Sequence, residues 1–383
     1  MKYQIFNGFY IYLILLLSVF SYSCKKENDD KAEQFSGGKG TQNDPYLITT
    51  SEQLKKFAKL INDGEESYID KHYKLGTDID LTEYDKESNA RISWTPIGWY
   101  QSSSNRRPFR GVFDGNKKKI SGLYIRSESL QYAGLFGYVQ NCTIKNLSVI
   151  DVDIYITYYK NVSESSKGFY VGAIVGYNNK GLIYNCYSTG KVENYVIATN
   201  TGSFAGGIAG YNSIDNILNC YSSCSVSSSA NLFSYSGGIA GYNTGMLSNC
   251  YSIGSTYSSV QKIYSISGGI IGYNEGSVSN CAALISSVSC IGPEKKYGRI
   301  VGNNDGTLSS NIAFIDIINP DKDTNWDNIG ENQIDGENFS IEQIYTDGAL
   351  GGRFTIENEW TVQNGKLPGL FGNTVDMPKH LIP

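Results

Sequence analysis

Histidine is almost missing from this chain: His72 and His380 are the two copies in 383 residues. A zinc peptidase site of the His-Glu-x-x-His type needs two histidines four positions apart, so this motif cannot be written with them. Neither histidine stands beside a serine or cysteine in a recognisable motif for nucleophilic catalysis. The scarcity of histidine therefore argues against an enzyme.

A basic surface is also missing. The chain carries 32 Lys and Arg against 37 Asp and Glu, which gives a net charge of −5. The basic residues that do cluster lie in one loop and the turn beside it, without a basic stripe elsewhere: Arg106, Arg107, Arg110, Lys117, Lys118 and Lys119. Nucleic acid is therefore not expected as a partner.

Acidic residues are scarce in the middle of the chain, where Glu193, Asp215 and Glu275 stand alone. Glycosidase chemistry needs two carboxylates about 5–10 Å apart. Some parallel β-helices instead cleave acidic polysaccharides with carboxylates that hold calcium and a basic residue that abstracts a proton. The candidate carboxylates for that chemistry are Asp78, Asp80, Asp114, Asp151 and Asp153. Positions in turns and strands explain all of them, so we predict no catalytic residue, no metal ligand and no cofactor.

One long apolar run, from Ile11 to Phe20, lies near the N-terminus and is followed by small residues before Cys24. Ten residues are too few to cross about 30 Å of hydrocarbon, which favours an export signal over residues 1–24 rather than a transmembrane anchor. The residues before Cys24 resemble a loose bacterial lipobox, which predicts lipid attachment at Cys24. Residues 25–40 are interpreted as an acidic tether. Their first six residues are similar to an export tag of Bacteroidetes lipoproteins, which implies a place on the outer membrane at the cell surface.

What the sequence does contain is repetition. A phrase close to Gly-Ile-x-Gly-Tyr-Asn recurs with its closing glycines 34, 31, 31 and 30 residues apart, and an outlying copy lies 39 residues before the first. A second phrase, Asn-Cys-Tyr-Ser, follows most copies. A period near 30 without helical spacing indicates stacked β-rungs. The repeats therefore predict an all-β fold, a right-handed parallel β-helix (solenoid) over residues 132–318.

Repeated residue types predict how each rung is built. Asn243 and Gly245 would form a turn with positive φ. The pair Gly237-Gly238 marks a tight bend or the closest approach of neighbouring layers. The asparagines of the second phrase would take left-handed corners and bond to one another along the stack, unless they form a plain external row: Asn146, Asn185, Asn219, Asn249 and Asn280.

Seven cysteines remain after Cys24, an odd number, and four of them recur at one repeat position: Cys186, Cys220, Cys250 and Cys281. Stacked about 4.8 Å apart, they would exceed the roughly 3.5–4.5 Å between Cβ atoms that a disulfide needs. We therefore expect buried, reduced thiols.

The flanks of the repeats differ from them. Residues 51–61 carry apolar residues at helical spacing, with Ser51 as N-cap and Gly64 as stop. This short helix, within an N-terminal segment of residues 41–131 that also holds the first rungs, is expected to plug the open end of the solenoid. Residues 319–383 are expected to form a C-terminal cap, since solenoid ends need one. The whole is predicted to be one elongated monomer.

Taken together, the two phrases resemble the GLUG repeat of large surface proteins from gut and oral bacteria. The segments Gly40–Ile48 and Trp94–Gly98, with Trp360 and Leu367-Pro368 near the end, are similar to those of many Bacteroides lipoproteins with such repeats. GLUG repeats also accompany the catalytic part of immunoglobulin-A-cleaving metallopeptidases, whose histidine motif is missing here. The resemblance implies an architecture and no activity.

Tyrosine is abundant, with 30 copies. Two rows recur one rung apart: Tyr177, Tyr211, Tyr242 and Tyr273, and then Tyr187, Tyr221 and Tyr251. Exposed aromatic rows suit a glycan or an extended peptide, although stacked tyrosines also stabilise a solenoid by packing on each other. One hypothesis is a non-catalytic surface module for adhesion, with the first row as its ligand platform. The alternative is a carbohydrate-active β-helix enzyme like a polysaccharide lyase, which a carboxylate and basic residues converging in one groove would favour.

Overall fold

The computed structural model describes residues 34–160 and 167–382. These residues form a parallel β-solenoid of about eight turns with few helices. Each turn, here called a rung, passes through three sheets whose strands pair in parallel with those of the next rung. The predicted all-β parallel β-helix is therefore confirmed.

The strands divide among the sheets as follows. The first sheet contains Tyr46–Ile48, His72–Leu75, Ile79–Asp80, Val112–Ser121, Tyr124–Ser127, Thr143–Tyr158, Leu182–Val196, Asn216–Leu218, Tyr221–Ser222, Ser225–Ala230, Met246–Ser248, Tyr251–Ser252, Ser255–Val260, Ser277–Ser279, Ala282–Ala283, Val288–Ile291, Thr307–Ser309, Ile312–Phe314 and Glu337–Phe339. The second sheet contains Tyr132–Ala133, Lys167–Gly172, Thr201–Gly206, Phe233–Gly237, Tyr264–Gly268 and Glu294–Gly298. The third contains Phe136–Gln140, Val175–Asn179, Ala209–Ser213, Ala240–Asn243, Ile271–Asn274 and Val301–Asn304. An antiparallel hairpin pairs Trp99–Tyr100 with Arg106–Arg107. The α-helices are α1 (Ser51–Asp63), α2 (Glu66–Ile69) and α3 (Ile341–Thr346), and single 3-10 turns span Ile356–Asn358 and Lys379–Leu381.

The glycine pairs lie between the second and third sheets, where neighbouring rungs approach each other closely. A Cβ added to Gly238 would lie 2.2 Å from the carbonyl oxygen of Gly269 and 2.6 Å from the Cβ of Ser252. Gly207 stands in the same relation to the carbonyl oxygen of Gly238, again at 2.2 Å. Side chains do not fit at such distances, so the predicted close approach of layers is confirmed.

The second phrase of each repeat turns a corner at its asparagine. Asn219 and Asn249 have φ of 51° and 52°, in the left-handed region that asparagine tolerates. The Nδ2 of Asn249 donates to the Oδ1 of Asn219 at 3.2 Å, and Asn219 donates likewise to Asn185 at 3.2 Å. The corner shifts the alternation of the strand, so that Leu247 and Cys250 are both fully buried. The predicted corner ladder is confirmed from Asn146 to Asn249, and Asn280 shares the corner conformation with φ of 52°.

A second asparagine ladder, which sequence analysis missed, runs inside the solenoid. The Nδ2 of Asn212 donates to the Oδ1 of Asn243 at 2.8 Å, and Asn243 donates likewise to Asn274 at 2.8 Å and to the carbonyl of Gly245 at 3.0 Å. The φ of Asn243 and of Gly245 is not positive, so the predicted turn conformation is wrong at both residues. An asparagine is needed at position 243 because its side-chain amide bonds to the asparagines of the neighbouring rungs. A glycine is needed at position 245 because a Cβ there would lie 2.0 Å from the carbonyl oxygen of Asp215.

Helix α1 closes the N-terminal end of the solenoid. Its N-cap is Thr50, whose side chain accepts a hydrogen bond from the backbone of Gln53, so the predicted cap at Ser51 is wrong by one residue. Gly64, with φ of 81°, ends the helix as expected. The ring of Phe57 lies 4.2 Å from that of Tyr73 in the first rungs, which places the apolar face of α1 on the core.

The C-terminal end is closed by Arg299 and residues 319–340. Arg299 occupies the register position of Gly269 and is fully buried, with its guanidinium donating to the carbonyl oxygens of Phe314 at 3.4 Å and Gly336 at 3.1 Å. Burial lowers its pKa to about 10. The backbone of Ile300 donates to the carbonyl of Ile334 at 2.9 Å, which makes residues 319–340 a last partial rung.

Residues 341–382, here called the lateral segment, lie along the side of the solenoid. The hydroxyl of Tyr251 donates to the carbonyl of Pro368 at 2.5 Å, and the Trp360 ring lies 5.7 Å from the Tyr251 ring. Arg353 Nε donates to the carbonyl of Ser310 at 2.8 Å. Within the region predicted as a cap, residues 319–382 thus form an end closure and a lateral cover, which packs on a row of tyrosines on that side.

Candidate functional site

The candidate site is the tyrosine ladder, defined as Tyr177, Tyr211, Tyr242 and Tyr273. These residues are register partners on adjacent strands of the third sheet. Their ring centroids are 4.6, 4.7 and 5.1 Å apart in chain order, and the ring planes differ by 3°, 8° and 2°. The structure therefore brings all four predicted residues together in one stack. Whether the stack is a ligand platform stays a prediction.

Strand alternation explains why the ladder faces outward. Tyr242 and Asn243 are neighbours in the strand Ala240–Asn243 and therefore point to opposite faces, so that Asn243 is fully buried whereas Tyr242 is half-buried. Because each rung repeats this pattern, the tyrosines form one continuous strip on the solenoid surface.

The stacked arrangement decides which atoms a ligand can reach. Parallel rings less than about 5 Å apart cover each other's faces, so an inner tyrosine offers its ring edge and hydroxyl rather than its π-face. The ladder is therefore a row of hydroxyls and ring edges, not a row of open stacking platforms.

A second aromatic row, which sequence analysis missed, flanks the ladder on the second sheet: Tyr132, Tyr170, Phe204 and Tyr235. Tyr170 stacks on Phe204 at 4.8 Å and meets Tyr177 edge-on at 5.0 Å. Each member stands two residues before a glycine that ends its strand or begins the next bend. That fixed offset was the signal that could have revealed the row.

The ladder hydroxyls remain protonated over the physiological range. A hydrogen bond to the carboxylate of Asp305, followed by burial, raises the pKa of Tyr273 to about 12. Burial also raises the pKa of Tyr211, and for Tyr242 burial acts together with a hydrogen bond to Glu275. Neutral hydroxyls with carboxylates beside them provide hydrogen-bond donors and acceptors along the strip.

The other predicted row is not available to a ligand. Tyr187, Tyr221 and Tyr251 do stack, at 4.6 and 4.9 Å. The lateral segment covers them, however, and Tyr251 is fully buried against Trp360. The expectation that this row is exposed is therefore wrong, because the C-terminal residues pack on the side of the solenoid.

One carboxylate does meet basic residues. The Oδ1 of Asp153 lies 2.7 Å from Nη2 of Arg126, and its Oδ2 lies 3.9 Å from Nη1 of Arg91. Both guanidinium groups also lie over the ring of Tyr124, at 4.7 and 4.8 Å. Sequence analysis missed this convergence, since Arg91 is distant in the chain from the other three residues.

Two other candidate carboxylates hold the backbone in place. Asp114 accepts a hydrogen bond from the backbone of Asn116 at 2.8 Å, and Asp80 accepts one from the backbone of Thr82 at 2.9 Å, which lowers the pKa of Asp80. His380 contacts the carbonyl of Leu284 at 2.8 Å. Across residues 34–160 and 167–382, no three His, Cys, Asp or Glu side chains converge as a metal-ligand set.

The predicted lipid attachment site, Cys24, lies outside the described residues. Among the helices that the structure does describe, none is both long and apolar enough to span a bilayer.

Comparison with known proteins places the repeats in context. Residues 167–193 match the family described as the GLUG motif. Two relatives align with parts of the chain. A protein of Evansella cellulosilytica named "Putative Gly-rich membrane protein" is 36% identical over 152 residues, covering 39% of this chain and 15% of that protein. Halomucin of Haloquadratum walsbyi is 30% identical over 134 residues, covering 33% of this chain and 1% of halomucin.

The fold also matches a solved structure. A crystal structure from Bacteroides ovatus, described as a "putative immunoglobulin A1 protease", superposes with a TM-score of 0.60 at 23% identity, covering 89% of this chain and 96% of that one. At this identity the likeness shows a shared fold. The chain thus carries a GLUG motif within a parallel β-solenoid, and it spans a small fraction of the relatives that it matches in sequence.

Proposed function

We propose that this chain is a non-catalytic binding module at the cell surface and that its tyrosine ladder contacts an extended glycan. The observation that carries this proposal is the ladder itself, in which the same ring edge and hydroxyl recur every 4.6 to 5.1 Å along an open side of the solenoid. A ligand that repeats along the axis meets an equivalent contact at each rung.

The spacing favours a glycan over a peptide. An extended peptide rises about 3.3 Å per residue and returns a side chain to the same face after about 6.6 Å. Neither distance matches the ladder spacing of 4.6 to 5.1 Å. A pyranose ring with its linking oxygen is about as long as one rung is high, and its peripheral hydroxyls can pair with the hydroxyls of Tyr211 and Tyr242 and with the carboxylates of Glu275 and Asp305.

Each rung alone would bind weakly, because one hydrogen bond contributes about 0.5–1.5 kcal/mol net. Several rungs acting on one chain add through multivalency. The proposal therefore requires affinity to rise with glycan length.

The test is a binding screen of the exported protein, carrying Cys24→Ser for solubility, against linear polysaccharides of host and plant origin. The polysaccharides that bind are then cut to defined lengths and compared by calorimetry. We expect affinity that climbs steadily as the oligosaccharide lengthens. Absence of binding to every glycan, or affinity that is the same at all lengths, would contradict the proposal.

We further propose that the module is held at the outer membrane by a lipid on Cys24 as a monomer. The apolar run that ends before Cys24 supports this, as does the membrane protein named among the relatives. Protease added to intact cells should degrade the protein, and Cys24→Ser should release it or stall its processing. Full membrane retention with an uncleaved N-terminus would instead show a transmembrane anchor.

The cluster of Asp153, Arg91 and Arg126 supports a second candidate function, cleavage of an acidic polysaccharide. Its groups are engaged, however, since Arg126 pairs with Asp153 and Nη2 of Arg91 donates to the carbonyl of Gly122 at 2.9 Å. A guanidinium group is charged in proteins and has no acceptor atom, which makes an arginine a poor proton acceptor. Ultraviolet absorbance of an unsaturated product would reveal such cleavage, and it should then disappear in Arg126→Ala. Turnover of any glycan by the purified protein would overturn the non-catalytic proposal.

A further inference from the structure

The tyrosine ladder ends differently at its two ends. Toward the N-terminus, the ring of Tyr100 lies 5.1 Å from Tyr138, which itself stacks 5.5 Å from Tyr177. Aromatic rings therefore continue the strip to the hairpin at that end. Toward the C-terminus, the register partner of Tyr273 is Asn303.

The flanking aromatic row has ended one rung earlier, since Ile266 is the register partner of Tyr235. Lys296 is the register partner of Ile266, and its Nζ donates to the Oδ1 of Asn303 at 2.9 Å. A short amide and a flexible ammonium thus replace the bulky side chains of the rungs before them. The surface of the solenoid is therefore lower on this rung than on the rungs before it.

The loop of the last partial rung turns this step into a cavity. Trp326 is held by a hydrogen bond from its Nε1 to the carbonyl of Ile317 at 3.0 Å and meets Tyr297 edge-on at 6.0 Å. The cavity has a volume of about 430 Å³ and lies between the rung and this loop. Its polar lining comes from both sides, chiefly Lys296, Asn303, Asn325, Asp327 and Asn328.

This lining has the chemistry of a sugar site. Sugar hydroxyls donate to a carboxylate and accept from amides and an ammonium, and the apolar face of a sugar ring packs on an aromatic wall. The volume falls in the range of about 300–1,000 Å³ that is common for small-ligand sites. The lining carries two lysines, Lys295 and Lys296, and two acids, Asp327 and Asp335, so its charges offset each other and favour a neutral sugar.

We propose that this cavity binds the terminal sugar unit of the glycan that lies along the ladder. The inference rests on the proposed function and adds the direction in which the glycan lies. Asn303 lines the cavity and is the register partner of Tyr273, so the cavity continues the line of the ladder. The chain end would enter the cavity, and the following units would run toward Tyr177.

The experiment compares Asp327→Ala with Asp316→Ala in the full chain. Both residues are exposed acids near the C-terminal end of the solenoid, so the two changes alter net charge equally, but only Asp327 lines the cavity. The probes are a short linear oligosaccharide of the glycan that binds best and the same compound with its terminal hydroxyls methylated. We expect Asp327→Ala to weaken binding of the free oligosaccharide about tenfold, methylation to do the same, and Asp316→Ala to leave affinity unchanged.

The outcomes separate this inference from the function on which it rests. If Asp327→Ala and methylation leave affinity unchanged while changes in the ladder reduce it, the terminal site is wrong and the ladder contact stands. If the wild-type protein binds no glycan, both are wrong. Equal losses in Asp327→Ala and Asp316→Ala would show a charge effect and would also overturn the terminal site.

Discussion

The ring of Tyr211 lies parallel to the ring of Tyr242, with centroids 4.7 Å apart and planes within 8°. Each ring therefore covers a face of the other, and what the pair presents to a ligand is two edges and two hydroxyls. The same contact serves the scaffold, since stacked aromatic pairs add about 0.5–1.5 kcal/mol beyond burial. Tests of function must therefore separate the hydroxyls from the rings.

Gly238→Ala should destabilise the protein by about 1–3 kcal/mol, because the added methyl group would lie 2.2 Å from the carbonyl oxygen of Gly269. Gly202→Ala is the matched control, since its nearest atoms belong to the ring of Phe204 at 3.2 Å. Urea unfolding measures both. Equal stability of the two variants would show that rungs do not approach as closely as described.

The two asparagine ladders should respond differently to alanine. Asn243→Ala removes the bonds that Asn243 makes with the buried amides of Asn212 and Asn274 and should cost about 1–3 kcal/mol. Asn249→Ala removes a half-buried amide and strains a corner with φ of 52°. Asn249→Gly relieves that strain and should recover part of the loss. Unfolding free energies that are equal for the alanine and glycine variants would contradict the corner conformation.

Alkaline pH should unfold the protein. The pKa of Tyr273 rises from 10.0 to about 12, owing to its bond with Asp305, and burial raises that of Tyr170 to about 12. A raised tyrosine pKa stabilises the fold below pH 10, and this contribution is lost as pH climbs from 10 to about 12. The melting temperature should therefore fall across that window. Tyrosinate absorbance that reaches its full value for all tyrosines near pH 10 while the protein stays folded would contradict the assignment.

The cysteines should be unreactive toward thiol reagents in the folded protein. All seven cysteines of the described residues are free and buried, and burial raises the pKa of the Cys220 thiol. A thiol reagent should therefore react slowly with native protein that carries Cys24→Ser, and should count seven thiols after unfolding in denaturant. Rapid labelling before unfolding, or fewer than seven thiols afterwards, would contradict a stack of reduced cysteines.

Periodic features of the fold could be predicted from the sequence because each repeats a local cause. The corner at Asn249, the buried Cys250 and the close approach at Gly238 follow from residue type and spacing. The prediction of a turn conformation at Asn243 is wrong, because a buried amide ladder can be predicted only when it is known which side chains of the strand point inward. The pattern of one strand does not settle that.

Non-periodic packing could not be predicted. Nothing in the residues around Trp360 specifies whether they cover the end or the side of the solenoid, because both surfaces are apolar. The contact of Asp153 with Arg91 joins distant parts of the chain, as does the cavity at Asn303 and Trp326. Of the candidate site, the sequence revealed the ladder but neither its flanking row nor its end.

The most direct test measures glycan binding by the double variant Tyr211→Phe, Tyr242→Phe. Phenylalanine keeps the stacked rings, so the melting temperature should change little, and Tyr221→Phe under the lateral segment serves as the control. We expect the double variant to lose binding to the longest oligosaccharide about tenfold, more than either single change, while the control binds like wild type. Unchanged binding by the folded double variant would contradict the account that the tyrosine ladder is the glycan-contact surface.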